Sequence, residues 1–145
     1  MAKEKLFHVG VKALITNNTG QVLVLEVNTE HFTSDKTPHG DLPGGRIENG
    51  EAPEQTLRRE ITEETGIKEV GDITFMTAVV SGIEIPISET QKVGLVLMVY
   101  RITIPPESKV MISGEHISYE WVSLAEAKKR LAYKYPAQFT ELLTD

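Results

Sequence analysis

Residues Gly44–Ile67, GGRIENGEAPEQTLRREITEETGI, decide how the rest of the chain is read. The stretch holds six glutamates and three arginines, opens on a glycine pair and closes against Gly66. Pro53 suits the first turn of a helix, where its missing N–H is no loss. Gly66 is a natural C-terminal stop, so the spacing predicts a helix from Pro53 to Gly66. At roughly 100° per residue, with Glu60 at 0°, Glu64 falls near 40°, Glu63 near −60°, and Leu57 and Ile61 near 60° and 100°. Arg58 points away from this group. The bland reading is a solvated acidic helix, for which like charges at i,i+4 cost only a few tenths of a kcal/mol. Yet these carboxylates border the apolar stripe, at the edge of the core, where their repulsion is poorly screened. Such a cluster must be protonated or neutralised by cations. Hard oxygen donors suit Mg²⁺ or Mn²⁺, which keep waters and bind phosphates. A metal site is the better explanation.

Outward from this helix, both flanks read as strands. FHVGVKALIT (Phe7–Thr16) and QVLVLEV (Gln21–Val27) are joined by the turn-forming NNTG, a hairpin signal. Phe7, Val9, Val11, Ala13 and Ile15 share one face; His8, Gly10 and Lys12 share the other. Asn28–Asp41 is polar and without periodicity and reads as a long loop, a feature often tied to function. Ile73–Ile85 and Lys92–Ile104 read as two further strands, apolar enough for a sheet covered on both sides. Pro105–Tyr119 reads as a loop, followed by a short strand around EWVSL. SLAEAKKRLAYK carries a cap-like Ser123 and helical spacing at Leu124, Ala127 and Leu131, and PAQFTELL reads as a short last helix. Strands, helix, strands, helices make one α/β domain over residues 1–145, a mixed sheet between helices.

The composition sets limits. Of 145 residues, 40% are hydrophobic and 25% charged, as in ordinary globular domains. Cysteine is absent, which excludes disulfides, thiol catalysis and thiolate metal sites and fits a cytoplasmic location. The start, MAKEKLFHVGVKALIT, lacks the pattern of a signal peptide, and no apolar run spans a membrane. A net charge of −6 argues against stable nucleic-acid binding. It is compatible with a polyanionic small molecule, because bound cations reverse the local sign.

A resemblance sharpens this reading. Gly45, then Glu51 after five residues, then Arg59-Glu60-Ile61-Thr62-Glu63-Glu64-Thr65-Gly66-Ile67 after seven more, matches every fixed position of the Nudix box. LPGG before it and EWVSLAEA with a terminal helix after it also resemble the family. Ala52 departs where a capping residue is common, and Thr56-Leu57 replaces a frequent alanine pair. Neither touches a ligand position, so the expected effect is on helix stability.

The resemblance implies the Nudix fold, an α/β/α sandwich around a mixed sheet, and hydrolysis of a diphosphate bond in a nucleoside diphosphate derivative with divalent metal, Mg²⁺ or Mn²⁺. It implies Glu60 and Glu64 as principal metal ligands, Glu63 as a further one, and the Gly44 carbonyl as another. Arg59 is expected to pair with Glu51 and orient the glutamates rather than touch substrate. The general base is either Glu63 or Glu115, which lies six residues before Trp121. His8, Lys12, His39 and Arg46 are the candidates for substrate contact, with His31 and Phe32 in the same long loop; His116 reads as a surface or satisfied histidine. Trp121 and Tyr119 read as core or pocket-wall aromatics.

Length and LPGG resemble the MutT-like subgroup, whose substrates are (deoxy)nucleoside triphosphates, giving the monophosphate and pyrophosphate. The alternatives are ADP-ribose or nucleotide-sugar hydrolysis, and a silent nucleotide-sensing domain. The expected partner is a small-molecule nucleotide, with no membrane association; a homodimer is compatible, since many relatives dimerise.

Overall fold

The structure is a computed structural model and describes residues 4–30, 32 and 36–144. His31, named above with the loop candidates, lies outside the described residues. The strands are β1 (Phe7–Thr16), β2 (Val22–Val27), β3 (Gly40–Asp41), β4 (Gly44–Arg46), β5 (Ile73–Val80), β6 (Ile85–Pro86), β7 (Lys92–Thr103) and β8 (His116–Val122). The helices are α1 (Pro53–Thr65), α2 (Leu124–Arg130) and α3 (Ala137–Thr140). Among the described residues, no helix is long and apolar enough to cross a membrane.

β1 and β7 run parallel at the centre, in register from Phe7 opposite Gly94 to Thr16 opposite Thr103. β5 pairs antiparallel with β7 on the outer side. The hairpin expected between β1 and β2 closes only at its turn, with Thr16 opposite Val22. Beyond that point the strands diverge. β2 pairs instead with β3 and β8, and β4 takes the vacated edge of β1, with Lys12 opposite Gly44 and Gly10 opposite Arg46. Ala13 N donates to Pro43 O at 2.8 Å across this opening. The fork sets the Gly40–Arg46 segment against the sheet, directly before α1.

Period-2 alternation in β1 sends its side chains to two cores. Val11, Ala13 and Ile15 pack with Leu23, Leu25, Leu57 and Ile61 beneath α1. Leu14 packs with Val22, Val24, Leu97, Leu131 and Phe139 beneath α2 and α3. Leu57 and Ile61 are fully buried, each stabilising the α1 layer by about 1.5–3 kcal/mol. The mixed sheet between helical layers is the predicted architecture.

Several boundaries differ from the sequence reading. The long loop ends at His39, because Gly40–Asp41 pair with β2. The strand expected over Ile73–Ile85 breaks after Val80, and Ile85–Pro86 form a separate short pairing with β7. β5 is not covered on both sides: Phe75 and Val80 are 52% and 54% exposed, since it lies at the sheet edge. The loop read from Pro105 to Tyr119 ends sooner, because β8 begins at His116.

α1 begins as the sequence suggests, with Pro53 at its first position and Gly66 closing it at φ 73°. Ala52 has no side-chain acceptor for the first turn, and only the Gln55 side chain reaches back, to Ala52 N at 2.8 Å. Ala52→Ser supplies the missing acceptor. It is expected to stabilise the fold by about 1 kcal/mol, read as a rise of roughly 2–4 °C in melting temperature.

Candidate active site

The helix turns two of its glutamates inward, onto the glycine pair of β4. Glu64 Oε1 accepts from Gly44 N at 2.6 Å, and the Glu60 carboxyl lies against Gly45. A Cβ on Gly45 would fall 2.4 Å from Glu60 Cδ, so this residue must be glycine if the carboxylate is to sit there. Gly44 has φ +151°, and a Cβ there would meet Val11 O at 1.9 Å. Both glycines therefore follow from close approach of backbone and carboxylate.

Arg59 organises the outer half of the cluster. Its Nε and Nη2 donate to Glu51 at 2.8 and 3.0 Å, a bidentate pair, and Nη1 donates to Glu60 at 2.9 Å and Glu63 at 3.3 Å. Glu51 also accepts from Glu48 N and Thr56 Oγ1. The hydrogen bonds from Arg59, first among these, hold its carboxyl down at about 2. Glu63 is 58% exposed and is held outward by Arg59.

Glu64 is in a different state. Its side chain is 6% exposed, and burial pushes its carboxyl up to about 8, against the pull of Lys12 and the Gly44 N–H and with Glu60 adding repulsion. Burial likewise raises Glu60, with Glu63 and Glu115 adding to it and Arg59 opposing. Two carboxylates whose charged forms burial disfavours, set over a backbone cradle, fit a divalent cation, which would offset that cost.

A cleft of about 690 Å³ opens above them, lined by His8, Gly44, Gly45, Arg46, Glu60 and Glu115. His8 and Arg46 meet there, Nδ1 to Nη1, at 3.1 Å. Glu115 is exposed at its rim. His39 lies elsewhere, in a neighbouring cleft of about 620 Å³ shared with Phe32, Arg46 and Tyr133. Its ring rests on Tyr133 at 4.7 Å and its Nδ1 donates to Thr37 O. Trp121 packs against the α1-side core, while Tyr119 is 43% exposed.

Lys12 departs from expectation. It is 6% exposed and lines neither cleft, because its ammonium is held in a buried ion pair. Its Nζ donates to Asp41 at 3.0 Å and Leu42 O at 3.3 Å. Asp41 also accepts from Lys134 at 2.6 Å and from the Tyr135 hydroxyl. Burial works to raise Asp41, but the two lysines and the tyrosine outweigh it and hold the carboxyl well below the usual range. This buried ionic floor was not read from the sequence, where Asp41 stood only as the end of a polar loop. His116 was also underrated. The β2–β8 ladder shifts between Glu26 and Val27, and one ligand atom each from Glu64, Glu115 and His116 lies within 4.8 Å of the other two. Glu60 and Glu63 do not belong to that triplet.

The chain matches the family model for the NUDIX domain over residues 6–143. It is 30% identical over 104 residues to a MutT-like protein of Streptomyces ambofaciens, covering 71% of this chain and 60% of that one. It is 32% identical over 91 residues to an octanoyltransferase of Myxococcus xanthus, covering 62% of this chain and 24% of that one. The chain thus spans less than two thirds of either curated relative. The crystal structure of the MutT protein from Methanosarcina mazei Go1 superposes with a TM-score of 0.68 at 29% identity, covering 98% of this chain and 94% of that one.

Proposed function

Because the chain belongs to the Nudix family, we propose that it is a metal-dependent pyrophosphohydrolase acting on a nucleoside triphosphate, releasing the monophosphate and pyrophosphate. The observation that carries this reading is the inward pair Glu60 and Glu64, seated on Gly44-Gly45, with Glu60 and both glycines lining a cleft whose rim holds Arg46. Two acidic groups below and a guanidinium at the rim suit a diphosphate bridged to the protein by cations.

In this reading Glu60, Glu64 and the Gly44 carbonyl hold Mg²⁺ or Mn²⁺, with Glu63 as an outer ligand. The bound ion would neutralise the diphosphate and acidify a water. Arg59, anchored bidentately on Glu51, fixes the Glu60 carboxyl and makes no substrate contact. Glu115 takes the proton from the attacking water; it is favoured over Glu63 because it lines the cleft while Glu63 is held outward by Arg59. His8 and Arg46 orient the phosphates. Arg46 lines both clefts, and the second offers Phe32, His39 and Tyr133 as an aromatic wall for the base. The reading also takes residues 1–145 as one domain, working in the cytoplasm, as the absence of cysteine suits, either alone or as a homodimer.

Gly45→Ala tests the geometry in isolation. The new methyl displaces the Glu60 carboxyl by an ångström or more, and turnover is expected to fall roughly 10²-fold while circular dichroism reports an intact fold. The substrate is settled by incubating the protein and Mg²⁺ with ribo- and deoxyribonucleoside triphosphates, ADP-ribose, sugar nucleotides and dinucleoside polyphosphates, then identifying products. Monophosphate plus pyrophosphate from a triphosphate supports the proposal. Cleavage of ADP-ribose or a sugar nucleotide alone favours the alternative substrate class, and nucleotide binding without turnover favours a sensor.

A further inference from the structure

The donors around Glu64 are not all oxygen. The His116 side chain is 6% exposed, and its Nε2 stands 3.8 Å from Glu64 Oε2, beyond hydrogen-bond distance. Its Nδ1 is buried with no hydrogen-bond partner among the described residues, as is Ser113 Oγ in the same turn. A buried imidazole nitrogen left without a hydrogen bond costs about 1–3 kcal/mol, so a fold that keeps this ring there calls for a use. Glu115 completes the group, within 4.8 Å of both. Glu115 lies in the turn just before β8, which begins at His116, so the alternation of a regular strand does not hold the two apart.

We infer that His116 supplies a nitrogen ligand to the cation held by Glu64, so that the site takes a first-row divalent ion such as Mn²⁺ in preference to Mg²⁺. The inference rests on the reading that these carboxylates hold a divalent cation. Mg²⁺ favours an all-oxygen shell, whereas imidazole suits transition metals, whose affinity for nitrogen donors rises along the series from Mn²⁺. One nitrogen beside the oxygens of Glu60, Glu64 and Gly44 still leaves coordination positions open to phosphate oxygens, so it adds selectivity without closing the site.

Mn²⁺ alone is the probe, added to the full chain and to His116→Gln, His8→Gln and Glu64→Gln, each checked for folding by circular dichroism. Pulsed electron paramagnetic resonance of the bound ion should show directly coordinated ¹⁴N in the wild type and in His8→Gln, and none in His116→Gln. By competition titration, His116→Gln should lose most of an at least roughly tenfold preference for Mn²⁺ over Mg²⁺. A wild-type ion bound in a Glu64-dependent way but without ¹⁴N coupling overturns the nitrogen ligand and leaves the carboxylate site standing. Coupling that survives His116→Gln overturns it as well. No Mn²⁺ binding at all overturns both.

Discussion

Replacing Glu64 with glutamine is expected to lower turnover by about 10³-fold or more while raising the melting temperature of the cation-free protein. The loss follows from the role proposed for the carboxylate, since a ligand to a charge-stabilising ion contributes several kcal/mol in the transition state. The gain follows from its burial. A carboxyl whose pKa rises to about 8 on folding binds its proton more tightly in the native state. Its favourable contribution is therefore complete below about 4.5 and is lost as pH rises towards about 8. His116, lowered by burial, works in the opposite sense below its ordinary value near 6.5, so the clean window is pH 6.5 to 8. Across it the wild type loses up to about 2 kcal/mol that Glu64→Gln keeps, at about 1.4 kcal/mol per pH unit. Thermal melts in chelator at pH 6.5 and 8 should show the advantage of the variant widening with pH. Added Mn²⁺ should stabilise the wild type and leave the variant unmoved. Equal melting temperatures at both pH values, or equal stabilisation of both proteins by the ion, would contradict this account of Glu64.

Asp41→Asn is expected to be the most damaging change to stability, at about 3–5 kcal/mol, or roughly 10 °C in melting temperature. Asp41 is the shared acceptor for Lys12, Lys134 and the Tyr135 hydroxyl; the Lys12 side chain is buried and that of Lys134 only 12% exposed. Without its charge, two ammonium groups face each other in the core. Burial already lowers Lys134 to about 8, so this lysine can escape by losing its proton. The penalty should thus be largest near pH 6 and shrink towards pH 9. Tyr135→Phe, which removes one hydrogen bond and no charge, should cost about 1 kcal/mol with no such pH dependence. A loss for Asp41→Asn that stayed below about 1 kcal/mol would show that the lysines are better solvated than their burial indicates.

The parts of the fold that were legible are those whose chemistry is local. Pro53 and Gly66 bracket α1 because a missing N–H and a left-handed cap are properties of single residues. The alternation in β1 announced two faces, and both proved buried. What stayed hidden depends on long-range pairing. Nothing in Lys12 or Asp41 alone tells that they meet across 29 positions of sequence, and so Lys12 was assigned to substrate rather than to the floor of the site. β5 was read as covered because its residues are apolar, yet strand order alone sets it at an edge. In the site, helical spacing was enough to cluster Glu60 and Glu64. It could not show that Arg59 would draw Glu63 outward, nor that the turn entering β8 would set Glu115 and His116 beside Glu64.

Crystals of the protein soaked with Mn²⁺ and a non-hydrolysable nucleoside triphosphate analogue test the central claim most directly, through the anomalous signal of the metal. The account predicts a peak at about 2.2 Å from carboxylate oxygens of Glu60 and Glu64, with a phosphate oxygen of the analogue on its open side. An analogue bound in the cleft with no metal at those carboxylates, or metal bound only at exposed acids such as Glu54, would contradict it.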